Sequence, residues 1–206
     1  MLDALARHLV ENKYDLRSLI RAVTASRVYQ LSSAPNVTNE RDEQNYSRAL
    51  FKRVPAEVLL DMVSQATGVP ERFPNAPPGT RAVQLWDSKV SHYFLRTFGR
   101  PERVTACECE RNAEPSVAQV LHLMNAPEVQ AKLSHEGGYV AKLVRRHAAD
   151  APLVEDLYLT FYSRMPTVAE SKAALAFLDK RKDRRRQAVE DMAWSLLNSL
   201  EFGFNH

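Results

Sequence analysis

Apolar residues recur at helical spacing along most of the chain. Leu2, Leu5, Ala6 and Leu9 form one stripe; Leu16, Leu19, Ile20 and Val23 form the next. Val58, Leu59, Met62 and Val63 continue the pattern, followed by Val117, Val120, Leu121 and Met124. After a pattern at about Tyr139 to His147, stripes run through Leu153, Leu157, Tyr158 and Phe161, then Ala174, Leu175 and Leu178, then Val189, Met192, Ala193, Leu196, Leu197 and Leu200. Such i, i+3, i+4 spacing predicts amphipathic helices. Punctuation separates them. Asp15 and Asp183 are predicted N-caps, Pro55 suits a first helical position, and Gly68 closes the helix it starts. Ser116 to Gln119 and Thr167 to Glu170 read as capping boxes, Pro127 opens a helix that Gly137 and Gly138 end, and another stops before Pro166.

Between the stripes, the segment from Leu31 to Asp42 is polar and turn-rich, which predicts a surface loop. Pro70, Pro74, Pro77 and Pro78 exclude a regular helix from Val69 to Thr80, because each removes a donor and restricts its predecessor. The stretch from Arg81 to Val90 reads as extended, with Ser88 capping a short helix, and any strand is expected only there. With 6 Gly and 11 Pro in 206 residues, the composition disfavours an all-β chain. The expectation is an all-α fold: a multi-helix bundle of about eight or nine helices with an irregular Pro-rich and Cys-x-Cys middle. Residues 1–206 read as one helical domain, divisible into halves 1–68 and 115–206 joined by an irregular stretch 69–114.

Charge changes this picture only locally. The net charge is +3, but Lys180, Arg181, Lys182, Arg184, Arg185 and Arg186 place six cations in seven residues, interrupted by Asp183 alone. Without that run, 22 basic residues face 24 acidic ones. The run is a candidate site for phosphate or sulfate groups; the plainer reading is a solvated helix junction, since no aromatics for base stacking surround it. Nucleic acid is accordingly not an expected partner. No run approaches the roughly 20 apolar residues of a membrane span.

The densest polar chemistry lies between Arg100 and Glu114. Cys107 and Cys109 would point the same way in an extended segment, offering two thiolates to a soft metal. A tetrahedral site needs two more ligands, and the histidines show no ligand spacing, so no metal is expected on protein ligands alone. A mutual bridge across one intervening residue would be strained. Glu108, Glu110 and Glu114 interleave with Arg103 and Arg111. They read as an ion-pair cluster holding an irregular loop, with acid–base catalysis as the competing reading. No H-E-x-x-H, G-x-S-x-G or glycine-rich phosphate loop occurs.

Several runs together resemble a known family. They include Asp15-Leu16-Arg17-Ser18-Leu19-Ile20, the segment Ser26 to Ser33, and Arg53 to Leu59. Phe98-Gly99-Arg100-Pro101, Cys107-Glu108-Cys109-Glu110-Arg111 and Gln119 to Asn125 follow, then Leu157-Tyr158-Leu159, Ser163-Arg164-Met165-Pro166-Thr167 and the ending Trp194 to His206. The chain is similar to the domain of unknown function 1553 family, the C-terminal domain of large exported planctomycete proteins that often carry a cytochrome-c-like domain. It resembles roughly the C-terminal two-thirds of that domain. The resemblance implies an exported, bacterial, multidomain context with a link to polysaccharide breakdown, and haem only on an associated domain. It implies no catalytic residues.

The resulting expectation is a non-catalytic docking or structural helical module whose partners are other domains of a larger protein or a separate protein. The alternative is part of a redox or polysaccharide-degrading enzyme, its site at Cys107, Cys109 and Arg111. No cofactor is expected in this chain. The resemblance places it in the periplasm or outside the cell; with no apolar signal region before Leu2, the chain by itself reads as cytoplasmic.

Overall fold

A computed structural model describes residues 1–42, 44–50, 52–86, 90–101 and 126–205. The fold is all-α. Its helices are α1 (Leu2–Glu11), α2 (Leu16–Thr24), α3 (Ala56–Thr67), α4 (Tyr93–Thr97), α5 (Pro127–Ser134), α6 (Tyr139–Arg146), α7 (Asp150–Tyr162), α8 (Val168–Asp179), α9 (Arg185–Leu197) and α10 (Leu200–Gly203). Single 3-10 turns occupy Ala82–Gln84 and Lys182–Arg184. By contacts, residues 1–52 with 205–206 make one compact unit and residues 53–204 a second.

The larger unit has one continuous apolar core. Leu59 and Val63 of α3, Leu95 of α4, Leu133 of α5, Val140 and Leu143 of α6, and Leu153, Val154 and Leu157 of α7 are almost completely shielded from solvent. Leu178 of α8 and Val189, Ala193 and Leu197 of α9 join them. α9 packs against α5, α6, α7 and α8, while α3 packs against α4, α5, α6 and the first 3-10 turn. Burying such stripes is what stabilises helices of 8–13 residues, which are marginal alone.

Local signals terminate the helices as their residue types dictate. Thr167 accepts from the Glu170 amide while the Glu170 carboxylate takes the Thr167 N–H, a reciprocal capping box that opens α8. Gly68 closes α3 at φ +66°, where a side chain would be strained.

Three expectations are corrected. Val83 is not extended, although Leu85 is, at φ −68° and ψ 107°: the buried Asp61 carboxylate on α3 accepts from the amides of Ala82 (2.6 Å) and Val83 (3.2 Å), and winds them into a 3-10 turn. The strands found are the two-residue β1 (Lys52–Arg53) and β2 (Phe204–Asn205), which pair with each other. Nor does Asp183 cap α9. It lies inside the second 3-10 turn, 76% exposed and 3.7 Å from Arg184. Arg184 occupies the N-cap position without a side-chain cap. Ser88 and the Ser116 to Gln119 box lie outside the described residues.

In the smaller unit, α1 and α2 form a helical hairpin joined through Asp15, whose carboxylate accepts from the Arg17 amide (2.9 Å). A self-braced loop follows. Asp42 accepts from the amides of Gln44 (3.1 Å), Asn45 (2.8 Å) and Ser47 (3.2 Å) and from the Ser47 hydroxyl. These donors, the Ser47 hydroxyl first, hold its carboxyl well below the usual carboxylate range.

Candidate functional site

The basic run folds into the turn between α8 and α9, and the structure disperses most of it. Arg185 turns back to Asp150 at the start of α7 (Nε to Oδ1, 2.9 Å). Arg186 donates to Glu136 (2.6 and 2.7 Å), to Glu190 (2.9 Å) and to the Ser134 carbonyl (2.8 Å). Arg181 donates to Asp191 (2.7 Å), and Lys182 pairs with Asp179 (2.5 Å). Thus Arg185 and Arg186 tie α9 to the far ends of α5 and α7. Lys180 makes no ion pair among the described residues, and Arg184 meets only its neighbour Asp183. These two cations, with Arg181, Asp183, Gln187 and Asp191, line a hollow of about 480 Å³.

A second polar cluster surrounds Asp61 and Glu71, and helical periodicity carries no sign of it. Lys132, on the inner face of α5, is only 8% exposed; it donates to the Val69 carbonyl (2.8 Å) and pairs with Glu71 (3.2 Å). His92 lies 3.9 Å from the same carboxylate, its ring tilted against Phe73. The His92 imidazole and the Lys132 ammonium together lower the Glu71 pKa to about 2. Asp61 carries the two amides of the 3-10 turn and the Arg81 guanidinium (3.4 Å). Asp61, Glu71, Ser64 and Arg81 line a hollow of about 390 Å³. Its carboxylates are committed to internal donors, so their chemistry is to pin the Pro-rich stretch onto α3 and α5.

The third cluster is centred on Arg164, just past the end of α7. Its Nε and Nη2 donate to Glu201 (2.6 and 2.8 Å), its Nη2 and Nη1 to Glu170 (2.8 and 2.9 Å), and its Nη1 also to the Met165 carbonyl (3.0 Å). The guanidinium lies over the rings of Tyr158 (5.6 Å) and Tyr162 (5.3 Å). Its five N–H groups are thereby all used in planar, forked geometry, and the Glu170 carboxyl is lowered to about 2 by Arg164. This clamp joins the ends of α7, α8 and α10. The sequence contained a legible half of it, the Ser163 to Glu170 run; Glu201 is brought in by the fold.

Elsewhere, His147 on the end of α6 pairs with Asp156 (2.7 Å), and His8 meets the Ser18 hydroxyl (3.1 Å) between α1 and α2. Among the described residues no three His, Cys, Asp or Glu side chains converge to hold a metal, and no helix is long and apolar enough to cross a membrane. Arg103, Cys107, Glu108, Cys109, Glu110, Arg111 and Glu114 lie outside the described residues.

One surface is apolar instead of polar. α1 and α2 have the stripes expected from their sequences, yet neither buries a residue. Leu2, Val10, Leu16 and Ile20 are more than half exposed, as are Val28 and Tyr29 just after α2. Their polar sides carry Arg7, Arg17 and Arg21.

No curated protein and no solved structure matches the chain. Residues 1–178 match a family described as PSD1, protein of unknown function (DUF1553), a span that takes in the α1–α2 hairpin, the Asp61 and Glu71 cluster and the Arg164–Glu170 half of the clamp. The chain therefore belongs to the DUF1553 family.

Proposed function

We propose that the chain is a non-catalytic docking module of a larger protein, and that it docks through the apolar face of the α1–α2 hairpin. The observation that supports this is the contrast between pattern and burial: two amphipathic helices of 10 and 9 residues bury none of their residues. Helices this short gain little from propensity alone and need an apolar surface to cover them. An exposed apolar face rimmed by polar residues is the ordinary form of a protein–protein contact. The polar clusters of the larger unit support the same reading. Asp61, Glu71, Glu170 and Arg164 are engaged by internal partners, which suits a rigid support better than a poised catalyst. The partner is another domain or protein presenting an apolar surface. The wider setting implied by the resemblance, a large exported bacterial protein, belongs to this proposal as well.

The test is a photoactivatable benzoylphenylalanine in place of Ile20, in the protein expressed in its native host. Crosslinks from Ile20 to another polypeptide, or to a domain outside residues 1–206, are expected, and they are lost when Leu16 is also changed to Glu. Crosslinks confined to residues 53–204, or none at all, would overturn the docking reading.

A further inference from the structure

Arg181 and Asp191 stand between two hollows on the α8–α9 hairpin and belong to the lining of both. On one side is the cationic hollow with Lys180 and Arg184. On the other is a groove of about 590 Å³ walled by Tyr158, Ala174, Phe177, Met192, Trp194 and Leu196. The dividing wall is well fixed. The Arg181 guanidinium lies 4.3 Å above the Phe177 ring and donates to Asp191 at 2.7 Å. An aromatic groove therefore ends at a cationic hollow, with a stacked arginine at the junction.

From this juxtaposition we infer that the α8–α9 hairpin binds an amphiphilic anion of the acyl-carboxylate class, its chain in the groove and its head between Lys180 and Arg184. The volumes suit a small molecule, since ligand sites generally measure about 300–1,000 Å³, with apolar and aromatic walls and few charged groups. The head-group side is selected by charge. Arg185, Arg186 and Lys182 are occupied by Asp150, Glu136 and Asp179, whereas Lys180 has no ion pair among the described residues. Arg184 has its adjacent Asp183 at 3.7 Å, both side chains about three-quarters exposed, a contact water and salt readily replace. The start of α9 has no side-chain cap, so its first amides add positive potential on the same side. Asp183 and Asp191 also line the hollow, but Arg184 and Arg181 offset them and Lys180 is left in excess, so a carboxylate gains, a neutral head gains nothing, and an ammonium is disfavoured.

Binding is measured by fluorescence on the full chain carrying Trp86→Phe, an 88% exposed position, which leaves Trp194 as the reporter in the groove. The probes are decanoate, decyltrimethylammonium and decanol, each below its micellar concentration. Saturable one-to-one binding of decanoate is expected, about tenfold or more tighter than that of the ammonium, a margin corresponding to one or two charge-assisted contacts. Lys180→Ala with Arg184→Ala should weaken decanoate by a similar factor and leave decanol unchanged; both positions are on the surface, so folding is preserved. Ala173→Phe, which fills the groove from an exposed position of α8, should weaken both. Equal affinity for decanoate and the ammonium, indifference to the charge variants, or binding only at micellar concentration would overturn the inference. This result is independent of the α1–α2 crosslinks.

Discussion

At the scale of single residues, the charges that matter are the ones whose partners come from elsewhere in the chain. Glu71 illustrates the energetic consequence. Its pKa is lowered from 4.5 to about 2 by His92 and Lys132, so its contribution to stability is fully present above about pH 4.5 and is lost as pH falls towards 2. At about 1.4 kcal/mol for each tenfold displacement of the protonation equilibrium this is about 3.5 kcal/mol, which solvent screening of the partly exposed carboxylate reduces to about 2–3 kcal/mol. Glu71→Gln should therefore flatten urea-denaturation stability between pH 5 and pH 2.5 relative to the parent; an unchanged slope would show that the triad is energetically idle. Arg164→Lys tests the other cluster. An ammonium cannot bridge Glu170 and Glu201 with a planar fork, and a loss of about 1–2 kcal/mol is expected, held down by the partial exposure of the site. The midpoint of urea unfolding at constant m-value reads it directly.

At the scale of elements, helix existence and helix ends were largely legible, because both rest on contacts within a few residues. The Asp15 cap, the Thr167–Glu170 box and the Gly68 terminator are found where spacing put them. The Asp183 cap and the extended reading at Val83 failed for different reasons: the remote Asp61 carboxylate winds Ala82 to Gln84 into a turn, whereas a local 3-10 turn at Lys182–Arg184 displaces the cap. Two helix ends offer matched predictions. Gly68→Ala adds a methyl group in the left-handed region, 3.1 Å from the Tyr139 amide, and should destabilise by about 1–2 kcal/mol. Ser163, which ends α7 at φ 57°, is the reverse case: Ser163→Gly should stabilise by about 0.5–1 kcal/mol. Thermal melts that shift both variants in one direction would contradict the conformational argument.

At the scale of the whole molecule, burial is unevenly distributed, and opening should follow it. Leu153, Val154 and Leu157 of α7 and Val189 and Ala193 of α9 are wholly shielded, whereas Leu5, Leu9 and Leu19 of α1 and α2 are only half-buried. Amide hydrogen exchange is expected to give residues 150–162 and 185–197 protection close to that of global unfolding, and residues 2–24 protection orders of magnitude lower. Equal protection in both regions would mean that the hairpin is as firmly held as the core. Leu157→Ala should cost about 2–5 kcal/mol as a cavity in that core, read from denaturant unfolding.

The sequence alone determined the helical class, most of the caps, the apolar stripes and the existence of a single basic run, since these depend on residue type and spacing over one or two turns. Only the tertiary structure decided what the charges do. Arg185 and Arg186 read as part of a cationic surface, yet they reach Asp150 and Glu136, which are 35 and 50 residues away. Glu201 completes a clamp that the Ser163 to Glu170 run only half announces, across 37 residues. It also decided that the stripes of α3 and α5 to α9 are core while those of α1 and α2 are at most half-buried. The physical reason is one of range. A helix is specified by bonds to residues three and four positions away, but a charge is satisfied by whichever opposite charge the folded chain brings within a few ångströms.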